Sequence, residues 1–374
     1  MFKGRELTEF RKQLLGWFRQ FQRDLPWRRS NDPYRIWLSE IMLQQTRVAA
    51  VIPYYEKFLE RFPDVRALAA APREEVLRMW SGLGYYSRAR NLQAAAEEIA
   101  SKHQGKFPEG EKEVLALPGI GPYTAAAVLS IAFGKKCAVL DGNVARVLAR
   151  MDALRGDLRD ARRWHSLQKT ASALLDPKFP GDWNEAMMEL GATVCTPKSP
   201  QCLLCPVAKF CRAQQLGIAE ELPEKRKKRD TVGVTLAAAV FTDAQGRTLL
   251  LPPPKASGGK AEADDIPTLV SKMWHFPTIS AKENPREELL RHMKQFLKNG
   301  GAHPAEFVAL GKVHHAVTYR SITIFPFRLN VERLPRIASA KTPALDNLSS
   351  LPISNLTRKI GRAALESLAA DRRA

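Results

Sequence analysis

The chain has 374 residues, 45% of them hydrophobic, and its 58 Lys+Arg against 39 Asp+Glu leave a net charge of +19 at pH 7. That length predicts two or three domains with sizeable cores, and the charge favours a polyanionic partner, nucleic acid before an anionic membrane surface. No apolar run reaches the roughly 18–20 residues of a spanning helix, and the amphipathic start MFKGRELTEFRKQLLGW lacks a signal-peptide core. A cytoplasmic protein that does not enter a membrane is expected, its five cysteines bound to metal or left as thiols.

Residues 1–215 read as helix almost throughout. Apolar residues recur at three- and four-residue spacing over 6–22, 34–60, 73–80, 88–102, 111–117, 122–133 and 143–153, punctuated by Pro- and Gly-bearing stretches such as NDPY, GKFPEG and KFPGDW. No strand-like alternation interrupts this half. Within 34–60, Glu40 shares a helix face with Gln44 and Arg47; taken alone, that is the pattern of an acid on a solvated face. The turn LPGIG at 117–121 joins two helical stretches. Gly119 and Gly121 permit tight backbone geometry, and N–H groups at the start of the following helix suit a phosphate oxygen. Tyr123 follows two residues after the second glycine. Asp141 lies where an apolar run gives way to a helix, the position of an N-cap. Glycosidic cleavage needs one carboxyl to protonate the leaving group and another to stabilise the sugar cation, and Glu40 and Asp141 fit that demand together.

Cys195, Cys202, Cys205 and Cys211 fall within 17 residues at spacing C-x6-C-x2-C-x5-C. Four thiolates so placed can wrap a tetrahedral zinc or a [4Fe–4S] cluster, and the single C-x2-C knuckle favours the cluster. Lys198 and Lys209 make the loop basic. Residues 216–231 read as a basic linker. Beyond it, strand-forming runs appear at TVGVTLAAAVFT, RTLLLP, FVALGKVHH and RSITIFPFRLNVE, interleaved with helical patterns at 285–299 and 354–370. Residues 252–265 have the composition of a loop. The predicted organisation is thus a helical domain at 1–215, the linker, and an α+β domain at 232–374 that stays basic, with 20 Lys+Arg against 12 Asp+Glu.

The motifs DLPWR, PYRIWLSEIMLQQTRV, WSGLGYYSRARNL, LPGIGPYTAAA, LDGNVARVLAR and NEAMMELGATVC, with the cysteine loop, closely resemble the helix-hairpin-helix DNA glycosylases that carry an iron–sulfur loop. Within that superfamily the whole chain resembles the adenine DNA glycosylase (MutY) family. The resemblance implies a helix-hairpin-helix glycosylase fold, a Nudix-like C-terminal recognition domain, a [4Fe–4S] cofactor on the four cysteines, and a monomer acting on double-stranded DNA with A:8-oxoguanine or A:G mispairs. It implies Glu40 as the acid that protonates adenine N7, Asp141 as the stabiliser of the sugar cation, and Asn143 as the residue that orients Asp141. Arg28 and Glu185 would line the extruded adenine, between Trp27 and Leu43. Gln45, Thr46, Leu83 and Tyr85 would surround the 8-oxoguanine, with Tyr85 wedged into the base stack. Related glycosylase/lyases hold a lysine at the position of Tyr123; a phenol forms no imine, so base removal without strand cleavage is implied. In the second domain, REELLRHMKQF lacks the acidic pair a Nudix hydrolase needs. Thr318 keeps a hydroxyl in the loop expected to touch oxidised guanine, where Val317 and Tyr319 depart from the family pattern.

Overall fold

The computed structural model describes residues 2–224, 230–253, 273–300, 304–317 and 319–371. Its contacts divide the chain into two compact units, Met1–Ala71 with Arg90–Lys227, and Pro72–Ala89 with Lys228–Ala374. Residues 72–89 thus group with the second unit, although they lie in the helical half of the sequence.

The first half of the chain runs through α1 (Gly4–Phe21), α2 (Pro33–Leu43), α3 (Val48–Arg61), α4 (Val65–Ala70), α5 (Arg73–Met79), α6 (Ser87–Lys102), α7 (Glu111–Ala116), α8 (Pro122–Phe133), α9 (Gly142–Met151), α10 (Ala161–Leu174), α11 (Pro180–Thr193) and α12 (Arg212–Gln215). The periodic stretch 34–60 is two helices, broken at 44–47. No Gly or Pro marks the break; Gln44 leaves helical geometry and Gln45 adopts φ +56°. In α2, Ile36 through Met42 are all buried, so the helix is enclosed rather than amphipathic. A core of Phe10, Leu14, Leu148, Leu167, Trp183 and Leu190 ties α1, α9, α10 and α11 together. Gly119, between α7 and α8, has φ +76°, and a Cβ there would lie 2.6 Å from the Asn91 Cβ, so both backbone angle and space demand glycine. The stretch read as a linker starts folded: Leu222 is buried against Ala213 and Ala219, and Arg155 pairs with Glu221 and Glu224.

The second unit is built on a mixed sheet of β1 (Val232–Thr242), β2 (Thr278–Ser280), β3 (Pro304–Ala309), β4 (Val313–Val317) and β5 (Arg320–Val331), with α13 (Pro285–Gly300) and α14 (Asn355–Asp371). The order is β2-β1-β5-β3, with β4 pairing the first part of β5; β1 and β5 run parallel. Side chains alternate between two cores. Leu236, Ala238, Val240, Ile322 and Ile324 join Ile360 and Ala364 of α14; Ala237, Ala239, Phe241 and Leu329 join Leu289 and Met293 of α13. The expected strand RTLLLP makes only isolated bridges, Arg247 to Ala344, Leu250 to Lys341 and Leu251 to His275. All of the expected 252–265 loop after residue 253, and Thr318, lie outside the described residues.

Candidate active site

Four helices and a turn deliver their functional side chains into one cleft of about 560 Å³, within the range of small-molecule pockets. Because α2 is enclosed, it carries Glu40 into the interior, 6% exposed, rather than onto a solvated face. The hairpin starts α8 so that Tyr123, in its first turn, reaches back to α2. Its hydroxyl donates to Glu40 Oε2 at 2.5 Å and lies 3.2 Å from Met188 Sδ. Burial lifts the Glu40 carboxyl to about 7; the Tyr123 hydroxyl opposes that rise, and the charges of Asp141 and Glu185 add to it. Burial, with the neighbouring carboxylates, also holds the Tyr123 phenol well above its ordinary range, so it stays a donor.

Asp141 is both N-cap and cleft wall. Its Oδ1 accepts from Val144 N at 2.7 Å, and its Oδ2 accepts from Asn143 Nδ2 at 3.1 Å. Burial raises its carboxyl, and these donors hold it back. Asn143 is oriented in turn by Arg146 Nη2, which donates to Asn143 Oδ1 at 2.8 Å, while Arg146 also donates to the Gly191 and Cys195 carbonyls.

Opposite them, Arg28 is shared between two carboxylates of α11, Glu185 at 3.2 Å and Glu189 at 2.8 Å. Glu189 is 1% exposed at its side chain and takes a second cation, Arg23, at 2.7 Å. Burial alone would raise Glu189, but Arg23 and Arg28 hold it down to about 2. Glu185 is partly buried; desolvation raises its carboxyl, and Arg28 opposes that rise. The two acids therefore differ: Glu189 is held as an anion that anchors Arg28, and Glu185 shares Arg28 while facing the cleft.

Trp27, Leu43, Gln45 and Thr46 also line the cleft, so ten of the twelve residues expected around the adenine, its sugar and the 8-oxoguanine meet there, all but Leu83 and Tyr85. Gly119 and Gly121 stand in the hairpin turn and not in the lining; the space beside Gly121 is open. Leu83 is buried and Tyr85 is 46% exposed, both within the second unit. Arg23, Met188, Trp164 and Glu189 line the cleft without a sequence signal having singled them out; the one available hint was Glu189 at i+4 from Glu185 on a shared helix face.

Cys195, Cys202, Cys205 and Cys211 line a separate cavity of about 30 Å³ with Arg150. A zinc would draw four sulfurs to about 2.3 Å from one point. Among the described residues no three His, Cys, Asp or Glu groups converge on a single ion in that way. The shared cavity suits a cluster, which spreads its ligands over several irons. Arg150 supports the fit: its Nη1 donates to Cys195 Sγ at 3.2 Å, and its buried Nη2 has no partner among the described residues. Burial pushes the Cys205 thiol up to about 12, so metal must displace its proton on binding. In the second unit, Glu288 of α13 accepts from the backbone N–H groups of Lys282, Glu283 and Asn284, capping its own helix.

The family described as "HhH-GPD superfamily base excision DNA repair protein" matches residues 38–175, and the "Iron-sulfur binding domain of endonuclease III" matches 195–211, from the first of the four cysteines to the last. The adenine DNA glycosylase of Homo sapiens is 37% identical, covering 87% of this chain and 68% of that protein; that of Mus musculus is 35% identical over 88% and 72%. Among solved structures, a thermostable thymine-DNA glycosylase is similar at a TM-score of 0.52 and 31% identity, over 56% of this chain and 97% of that one.

Proposed function

This chain belongs to the adenine DNA glycosylase family, and from that premise we propose that it excises adenine mispaired with 8-oxoguanine or guanine and leaves an intact abasic site. The glycosidic bond is out of reach inside a stacked duplex, so the adenine must leave the helix and enter the cleft. Trp27 and Leu43 sandwich the ring, and Arg28 with Glu185 read its polar edge. Glu40, with a carboxyl near 7, is protonated often enough at neutral pH to donate to N7 as the bond breaks. Asp141 faces the sugar as its cation develops, held in place by Asn143 and the helix start. Glu40, returned to its carboxylate, receives the proton of the attacking water. Gln45 and Thr46, together with Leu83 and Tyr85 of the second unit, contact the opposite strand, and Tyr85 wedges the stack. Gly119 and Gly121 let the hairpin backbone approach phosphate. Cys195, Cys202, Cys205 and Cys211 would hold a [4Fe–4S] cluster that fixes the shape of a basic loop and would supply no step of the reaction.

The observation that carries this reading is the Tyr123–Glu40 contact. A hydroxyl that donates to the buried acid stands where a lyase would present an amine, so the site has a tuned general acid and no imine-forming nucleophile there. The test is adenine release from an A:8-oxoguanine duplex by Glu40→Gln and Asp141→Asn. Both should fall by about 10²–10⁴ in single-turnover rate. Undiminished release in either would remove that residue from the chemistry.

A further inference from the structure

The loop Ser81–Tyr85 is held in a conformation that it would not keep by itself. Gly82, Gly84 and Tyr85 have φ of +116°, +72° and +48°. A tyrosine at positive φ is strained, and such strain persists only where the surroundings enforce it. An inner layer does part of this: Trp80 Nε1 donates to Gly84 O at 3.1 Å, and Arg88 Nη2 donates to the carbonyls of Leu83 and Gly84 at 3.3 Å each. The Arg88 guanidinium also lies 5.5 Å from the centre of the Tyr85 ring.

An outer layer comes from more than 260 residues away in the same unit. The Ile353 carbonyl accepts from both Tyr86 Oη, at 3.0 Å, and Ser81 Oγ, at 3.2 Å. Arg358, in the first turns of α14, donates to Ser81 Oγ at 2.8 Å, and Asn355 Nδ2 reaches Gly82 O at 3.4 Å. Tyr86 is 4% exposed and Tyr85 beside it 46%, so one tyrosine of the pair anchors while the other projects. Ser81, Tyr86 and the 353–358 segment thus clamp both ends of the loop. We propose that segment 353–358 is the brace that aims Tyr85, with Arg358 and Tyr86 as positioning residues for insertion into the base stack. The proposal rests on the wedge role assigned to Tyr85 above, and it makes the C-terminal segment part of the stack-opening device.

The test is equilibrium binding of the full chain to a duplex carrying 2-aminopurine beside the 8-oxoguanine, whose fluorescence rises as neighbours unstack. Matched duplex serves as the reference. Tyr86→Phe removes only the hydroxyl that reaches Ile353, and Arg358→Ala removes the guanidinium that donates to Ser81, leaving its bond to Ile353. Each should blunt the fluorescence rise and lower the preference for mispaired over matched duplex by about three- to tenfold, the range of one or two lost hydrogen bonds. Tyr85→Ala should do the same, and Tyr85→Ala/Arg358→Ala should be no worse than Tyr85→Ala alone, because residues acting through one element are non-additive. A wild-type rise and preference in Tyr86→Phe and Arg358→Ala, with Tyr85→Ala impaired, would overturn the brace and leave the wedge standing. A wild-type rise in Tyr85→Ala would remove the wedge, and the brace with it. If Arg358→Ala fails to fold, Tyr86→Phe, which keeps the ring packing, decides the matter.

Discussion

Replacing Tyr123 with phenylalanine removes one hydroxyl and should move the pH dependence of base release. That hydroxyl donates to Glu40 Oε2 at 2.5 Å and stabilises the carboxylate against burial and the nearby acids. A hydrogen bond to a charged group is worth about 1.5–3 kcal/mol, which is roughly one to two pH units. A general acid works in its protonated form, so the single-turnover rate falls as pH rises through the Glu40 value. In the wild type that limb should centre near 7. In Tyr123→Phe it should move up by about one to two units, leaving the rate above neutrality less depressed than in the wild type. The assay is adenine release from an A:8-oxoguanine duplex, followed from acid conditions to about pH 9 in both proteins. A limb that stays in place, or moves to lower pH, would mean that the contact does not set the state of Glu40, and the acid assignment would lose its support.

Glu40→Gln should cost activity and gain stability. Glu40 titrates at 4.5 unfolded and about 7 folded, so its contribution is full below 4.5 and lost as pH rises through about 7. Above about pH 8 the glutamine variant should therefore be more stable, by up to roughly 3 kcal/mol in urea unfolding; equal or lower stability would argue against a buried, raised carboxyl. Glu189→Gln has the opposite sign. Its carboxyl is held down at about 2, so its contribution is present above 4.5 and lost as pH falls through about 2. The substitution should destabilise the fold at neutral pH by about 3–5 kcal/mol, because Arg23 and Arg28 lose their shared buried anion; a loss under about 1 kcal/mol would make the cluster an ordinary surface ion pair. The two hairpin glycines should separate fold from binding. Gly119→Ala meets Asn91 and a positive φ and should cost more than about 1 kcal/mol. Gly121→Ala has open space and should leave stability within about 0.5 kcal/mol, yet weaken binding to undamaged duplex; unchanged binding would remove the hairpin from the phosphate contact.

What the sequence announced, and what it hid, follows the range of the interactions concerned. Helices with one apolar face were readable from their period, and Asp141 was readable as an N-cap because capping is local. The burial of Glu40 was not, because part of what encloses α2 is α8, some eighty residues on in the chain, and an isolated i, i+4 pattern fits a solvated face equally well. The break at 44–47 left no Gly or Pro to mark it. Residues 73–80 show ordinary helical periodicity, yet Trp274 and Lys341 hold Glu74 within the second unit, over a separation no local pattern encodes. Glu189 looked like one more helix charge until Arg23 and Arg28 closed on it.

The central claim is a glycosylase that frees adenine and leaves the strand whole, and one duplex tests it. A single adenine opposite 8-oxoguanine is incubated with excess protein, and the products are resolved with and without alkali. The account predicts free adenine in both cases and a strand break only after alkali. A break without alkali would mean that an amine elsewhere in the chain forms an imine with the sugar, and the roles of Tyr123 and Glu40 would have to be reassigned.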